Sequence, residues 1–349
     1  MVALAELGVR DAAAAIGAGE ITAEALAEAL LKRCADASSL NAFIHLDPDA
    51  VRAAARRADA QRQSGQPVGP LHGVPLAIKD NIDTAELPTT GGTPGLRGNR
   101  PKHNAPVVQR LLDGGAIVLG KANMHELAYG VTNNNGAFGP ARNPYDPSRI
   151  PGGSSGGTGV AVAARLAPGG LGSDTGGSVR IPAAHCGITG FRPTLLRWSQ
   201  RGIVPISHTR DTAGPMARNV ADCALLDGIV TGGPTKLTPA RLEGLRIGVP
   251  RGHFWENLDA ELAQILESTL TKLSAAGAVL VEGDVADVGA LDNAAGFPIA
   301  LYETVADLNQ YLTEHNTGLD FAGLVVQVKS PPVKDILASL LGDMAVPEA

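Results

Sequence analysis

The chain has 349 residues, enough to bury a large core in one domain or two. Its 29 basic and 35 acidic residues leave a net charge of −6, with no basic run or aromatic-basic cluster, which argues against a nucleic-acid partner. Hydrophobic content of 44% with 18% charge fits a soluble globular enzyme, no window has the roughly 18 apolar residues of a membrane span, and no secretory leader opens the chain, so a cytoplasmic protein without a membrane partner is expected.

Glycine (43) and proline (24) are plentiful and aromatics scarce, which predicts many tight turns. Cys34, Cys186 and Cys223 are widely spaced with no Cys-x-x-Cys pattern, so buried thiols are expected rather than disulfides or a metal site. A cysteine nucleophile at Cys186 beside His185 is disfavoured, because neighbours on a helix point apart.

Thr22 caps a helix over 23–35, with Leu26, Leu30, Arg33 and Cys34 at helical spacing. Asp47-Pro48 opens a second helix with an apolar stripe of Val51, Ala55 and Ala58 and a solvated face of Arg52, Arg56, Arg57 and Arg62. Residues 1–64 thus read as an N-terminal helical layer and 65–349 as the core. After a Pro/Gly/Ser-rich connector, Val74 to Lys79 reads as a buried strand, with Asp80 pointing to its opposite face. Residues 80–104 read as a long loop walling a cleft. Asn104 caps a helix carrying Val107, Val108, Leu111 and Leu112, which Gly114-Gly115 stops before a strand at Ala116 to Leu119. This helix-strand alternation predicts an α/β sheet with helices on its faces. Residues 130–150 form a polar loop.

Two serine-bearing glycine loops follow, Ile-Pro-Gly-Gly-Ser-Ser-Gly-Gly-Thr-Gly from Ile150 and Gly-Ser-Asp-Thr-Gly-Gly-Ser-Val-Arg-Ile-Pro ending at Pro182. Glycine allows close backbone approach, so such loops suit N–H groups aimed at an oxygen. Pro182 is tolerated only in the first turn of a helix, which places a helix start, a hydroxyl and free N–H groups near Ser178. An isolated Gly-Gly-Ser is more often a capped turn, and a lysine ending a strand more often snorkels. Further on, 219–230 reads as helix and 246–249 as strand. Leu262, Ile265, Leu266, Leu270 and Leu273 mark an amphipathic helix before a strand at 278–281, and 299–313 and 332–342 read as helices.

The three chemistry-bearing segments belong together. Gly-Val-Pro-Leu-Ala-Ile-Lys-Asp-Asn at 73–81, the first glycine loop at 151–159 and the segment 172–193 resemble, in order and spacing, the three blocks of the amidase signature family of serine hydrolases. The resemblance extends over roughly residues 20–340. It implies an α/β amidase-signature fold, a central mixed β-sheet covered by helices on both faces. It also implies that Ser178 is the nucleophile, Lys79 a neutral base and Ser154, after a cis Gly153–Ser154 peptide, the relay between them. The N–H groups of Thr175, Gly176, Gly177 and Ser178 would hold the oxyanion, with Ser155, Asp174 and Arg180 bracing the loops. Lys121, in Gly120-Lys-Ala-Asn-Met-His-Glu126, would be structural. For Lys79 to be neutral near pH 7 its pKa must fall from ~10.4 to ~7–8, a difference of about 4 kcal/mol, which burial could supply.

The implied activity is hydrolysis of a carboxamide to an acid and ammonia through a serine acyl-enzyme, with no metal or organic cofactor. The run 198–218 is similar to bacterial indoleacetamide and mandelamide hydrolases, which points to a small aryl- or indole-acetamide in a mainly apolar pocket walled by the 80–104 and 130–150 loops. A homodimer is left open. Alternatives within the family are a glutamine amidotransferase subunit acting on misacylated tRNA and a truncated, inactive relative. Outside it stand an α/β-hydrolase with Ser155 as nucleophile in Gly-x-Ser-x-Gly, which lacks the required preceding strand, and a nucleotide-binding module, whose glycine patterns do not match. Family members run beyond the position of Ala349, so the core is expected to be incomplete at its C-terminal side.

Overall fold

The computed structural model describes residues 3–342. It divides into a larger unit, the residues up to Lys236 together with those from Ala300, and a smaller one, Leu237–Ile299.

The larger unit opens with α1 (Val9–Ala18), whose start has no local side-chain cap. The Asp222 carboxylate does this work from far along the chain, accepting from the N–H groups of Val9 at 3.1 Å and Arg10 at 3.0 Å. Gly8 permits the approach, because a Cβ there would lie 2.5 Å from Asp222 Oδ2. In α2 (Ala23–Asp36) the Thr22 hydroxyl accepts from Ala25 N–H as predicted. Asp59 adds a second cap, accepting from Ala23 and Glu24 N–H at 2.8 and 3.0 Å. After the short β1 (Phe43–His45) comes α3 (Pro48–Gln63), which carries Asp59 and therefore sets where α2 begins. The arginine face of α3 is only partly solvated: Arg52 pairs with Glu28 and Arg56 with Glu24 on α2, at 2.7 and 2.6 Å.

β2 (Pro75–Lys79) is buried at all five positions, the pattern of a strand covered on both faces. α4 (Pro106–Asp113) leads to β3 (Ile117–Ala122), parallel to β2. The expected Asn104 cap is absent. Its side chain accepts from Ala85 N–H and donates to Gln109, while Pro106 at the first helical position makes the start without a cap.

α5 (Gly156–Ala163), β4 (Gly169–Asp174), α6 (Arg180–His185), β5 (Thr189–Gly190), β6 (Thr212–Ala217) and α7 (Val220–Thr231) complete the sheet region. The strand order is β1-β3-β2-β4-β6-β5, with the β3-β2-β4 centre parallel and β1, β6 and β5 antiparallel to their neighbours. This mixed sheet, flanked by helices, is the predicted architecture. β1, β4, β5 and β6 were not anticipated, and the second glycine loop opens inside β4.

In the smaller unit β7 (Arg246–Val249) lies parallel to β8 (Val279–Glu282), connected through α8 (Ala260–Ala275). These match the sequence reading, although the α8 stripe is not buried: Leu262 and Ile265 are 45% and 55% exposed. α9 (Val288–Glu314) is longer than predicted and contains Pro298. In the larger unit, Leu308, Leu312, Phe321 and Leu324 form a second core with Met124, where α10 (Phe321–Gln327) was not anticipated and α11 (Pro331–Ser339) was. Among the described residues, no helix is long and apolar enough to cross a membrane.

Candidate active site

The parallel centre of the sheet delivers the end of β2 and the end of β4 side by side, and the two glycine loops meet there. Lys79, the last residue of β2, is completely buried. Its Nζ lies 2.7 Å from Ser154 Oγ, 2.9 Å from Ser173 Oγ and 3.4 Å from the Ser173 carbonyl. Burial lowers its pKa to about 7, against the pull of Asp174 and Asp211, which favour the ammonium.

Asp80 does point away, as the strand alternation required. It faces Lys121, with 3.7 Å between Nζ and Oδ1, and accepts from Thr90. Lys121 Nζ also donates to the Ile82 carbonyl at 2.8 Å and to Thr89 Oγ1 at 2.7 Å, so this lysine ties the 82–89 segment to β3.

The Gly153–Ser154 peptide is cis. Ser155 joins the two loops: its N–H donates to the Ser178 carbonyl and its hydroxyl to the Ser173 carbonyl, both at 3.2 Å. Fully buried and not preceded by a strand, it does not have the placement that a Gly-x-Ser-x-Gly nucleophile needs. Cys186 is buried as well, with its thiol pushed up to about 12 by desolvation, which removes it as a nucleophile.

Ser178 lies two residues before α6. Its hydroxyl has no hydrogen-bond partner among the described residues, so the Lys79–Ser154 link is formed and no bond joins Ser154 to Ser178. Around it, the N–H groups of Thr175, Gly176 and Ser178 have no acceptor among the described residues. Gly177 departs from the expectation, because its N–H is already donated to Asp174 Oδ1 at 2.8 Å.

Asp174 organises this loop. It accepts from Val179 N–H at 3.2 Å, from Nε and Nη2 of the Arg180 guanidinium, both at 3.0 Å, and from Arg192 at 2.9 Å. Burial pushes its pKa up, but the Arg180 fork and its charge outweigh this and hold the carboxyl below the usual range.

Several contributors were missed in the sequence. Asp211 accepts from Ile206 and Ser207 N–H and from Thr175 Oγ1, with its carboxyl raised by burial. Asn133 accepts from Gly156 N–H at 2.9 Å and so holds the start of α5. Ser173 and Asn81 lie inside the recognised blocks, one residue from Asp174 and two from Lys79, and that proximity was the available signal. His125, beside Ser154, is pushed down to about 4 by burial and is neutral at pH 7.

A cavity of about 1000 Å³ opens beside Asp211, between the 100–104 segment, the 200–208 segment and the C-terminal end of α9. Its walls include Arg100, Lys102, Asp83 and His315, so it is not the apolar pocket expected from the loops, and Ser154 and Ser178 do not line it. At its rim His208, Glu303 and Asp307 offer ligand atoms within 4.8 Å of one another. They are engaged already: His208 Nδ1 lies 3.1 Å from Asp307, and Glu303 accepts from Ser207 and Thr209.

The amidase family profile matches residues 25–347. An indoleacetamide hydrolase of Agrobacterium vitis is 45% identical over 312 residues, which are 89% of this chain and 66% of that protein. A mandelamide hydrolase of Pseudomonas putida is 44% identical over 336 residues, 95% of this chain and 66% of that protein. The X-ray structure of native peptide amidase from Stenotrophomonas maltophilia superposes with a TM-score of 0.84 at 35% identity, covering 98% of this chain and 77% of that one. The chain therefore spans 66% of the length of these two curated relatives. With the profile spanning nearly all of the sequence, and the mixed sheet carrying the lysine and both serine loops at the ends of its central strands, the chain belongs to the amidase family.

Proposed function

We propose that the chain hydrolyses the C–N bond of a small primary carboxamide through a Ser178 acyl-enzyme. The observation that carries this is the fully buried Lys79, neutral in part at pH 7, 2.7 Å from Ser154 Oγ within the loop pair that holds Ser178. Ser178 Oγ attacks the carbonyl carbon. Its proton passes to Ser154 as the Ser154 proton passes to Lys79, and the carbonyl oxygen takes the negative charge facing the open N–H groups of Thr175, Gly176 and Ser178. As the C–N bond breaks, the proton returns through Ser154 to the nitrogen, and ammonia leaves. Water, deprotonated by the same relay, then attacks the ester and frees Ser178 and the carboxylic acid.

The test is Ser178→Ala. It is expected to abolish both amide turnover and labelling by a fluorophosphonate, with thermal unfolding little changed. Labelling that persists in this variant rejects Ser178 as nucleophile.

For substrate we propose an arylacetamide or indoleacetamide, a reading supported by the names of the two curated relatives and by the 198–218 run. Burying a phenyl ring contributes roughly 2 kcal/mol, so kcat/KM for phenylacetamide or indoleacetamide is expected to exceed that for acetamide by at least about 30-fold. A preference for glutamine over these amides would transfer the assignment to an amidotransferase subunit.

A further inference from the structure

The polar contacts of Lys79 extend beyond the two serines of the proposed relay. Its Nζ has three neighbours among the described residues: Ser154 Oγ, Ser173 Oγ and the Ser173 carbonyl. A carbonyl only accepts, so one amine hydrogen is committed to Ser173 O in either protonation state. What the Ser173 hydroxyl offers then decides how comfortable the amine is without its third proton.

Asn81 determines that offer. Its Nδ2 donates to Ser173 Oγ at 2.9 Å and also faces the Val204 carbonyl at 3.5 Å, an acceptor that sets which end of the amide points there. Having accepted from Asn81, the hydroxyl is left with a proton whose nearest acceptor is the Lys79 nitrogen. A neutral amine takes that proton into its lone pair. An ammonium instead fills the oxygen's second lone pair and leaves the hydroxyl proton with no acceptor among the described residues. Asn81 is buried, and its Oδ1 has no partner, so the amide is held here for its donor at the expense of its acceptor. The charged groups around the amine act the other way: Asp174 at the end of β4 and Asp211 before β6 both favour the ammonium. His125, after β3, is neutral, and Asp80 faces Lys121 on the far side of β2.

We propose that Asn81 is a positioning residue that acts through Ser173 to keep Lys79 in its neutral, proton-accepting form. Ser154 Oγ shares the same lone pair by rotation about the Cε–Nζ bond, so the hydroxyl of Ser173 holds the amine neutral between turnovers without blocking the relay. The inference rests on Lys79 being the base, and the experiment separates the two.

The full chain is labelled with carbon-13 at lysine Cε, the Lys79 signal is assigned by its loss in Lys79→Met, and its shift is followed against pH. The unsubstituted chain is expected to titrate near pH 7. Asn81→Ala is expected to raise the midpoint by about half a pH unit or more, the equivalent of one hydrogen bond. The similarly sized Asn81→Leu, a second variant should the alanine fail to fold, also lacks the donor without adding charge and is expected to raise it by a similar amount. In a Ser173→Ala background, Asn81→Ala is expected to shift nothing more, because its route is gone. A parent midpoint near 7 with Asn81→Ala unmoved overturns the inference alone, as does an equal shift without Ser173. A parent midpoint near 10 overturns Lys79 as base and the inference with it.

Discussion

A lysine with no accessible surface carries a charge that the surrounding protein solvates poorly, and at Lys79 burial outweighs two nearby carboxylates. Only the neutral amine can accept a proton, so kcat/KM is expected to fall as pH drops through about 7, with Lys79 taking up the proton that disables it. Lys79→Ala is expected to lower turnover at least ~10²-fold and to remove that limb from the pH profile, measured with the substrate that the parent chain turns over best. A limb that survives in this variant would assign the titration to another group. At this scale the sequence was informative about residues inside motifs, because Lys79, Ser154 and Ser178 occur in short blocks of fixed spacing. It was uninformative about partners chosen by approach in space. Arg192 reaches Asp174 from beyond α6, Asn133 reaches Gly156 from another loop, and the Gly177 N–H, available in the chain pattern, is taken by Asp174.

Secondary structure was legible where its start signal was local. Thr22 before α2, Asp47-Pro48 before α3 and Asn219 before α7 all act within their own first turns. α1 was not legible, since its cap is Asp222, 213 residues away from Val9. β6 was hidden by Gly214-Pro215, residue types that strands disfavour, yet Pro215 sits opposite Leu171 in the ladder and its carbonyl accepts from Phe191 N–H. Asp222 is buried and accepts from Val9, Arg10 and Asn219 together. Removing such an acceptor leaves N–H groups without partners, so Asp222→Ala is expected to cost about 1–3 kcal/mol in urea unfolding. Hydrogen exchange should show the early amides of α1 losing protection before those of α2. An unchanged unfolding midpoint would mean that water replaces the carboxylate at no cost.

Across the larger unit, the end of α9 is fastened to the segment after β2. His315 Nε2 lies 2.7 Å from Asp83 Oδ2 and its Nδ1 2.9 Å from the Tyr311 carbonyl, so both ring nitrogens face acceptors and the ring is best satisfied as imidazolium. Burial disfavours that charge, but the Asp83 hydrogen bond and its charge outweigh it, and the pKa is raised. Tyr311 stacks on His315 and donates its hydroxyl to Asp83 Oδ1 at 2.8 Å. A histidine whose folded pKa is raised stabilises fully below its unfolded value near 6.5, and loses that contribution as pH rises through the folded value. His315→Gln is therefore expected to lower the melting temperature at pH 5.5, with the gap to the parent chain narrowing toward pH 9. A gap constant across that range would show that packing, not protonation, makes the connection.

The Asp222 cap also has a consequence in time. A ribosome makes α1 first, but its capping carboxylate emerges 213 residues after Val9. At about 5–20 residues per second that is a wait of roughly 10–40 s. For that interval α1 in the nascent chain has its opening N–H groups bonded only to water. Stalled chains ending before Asp222 should accordingly be cut by protease within residues 9–18, and chains long enough to bring Asp222 and the rest of α7 out of the exit tunnel should be protected there.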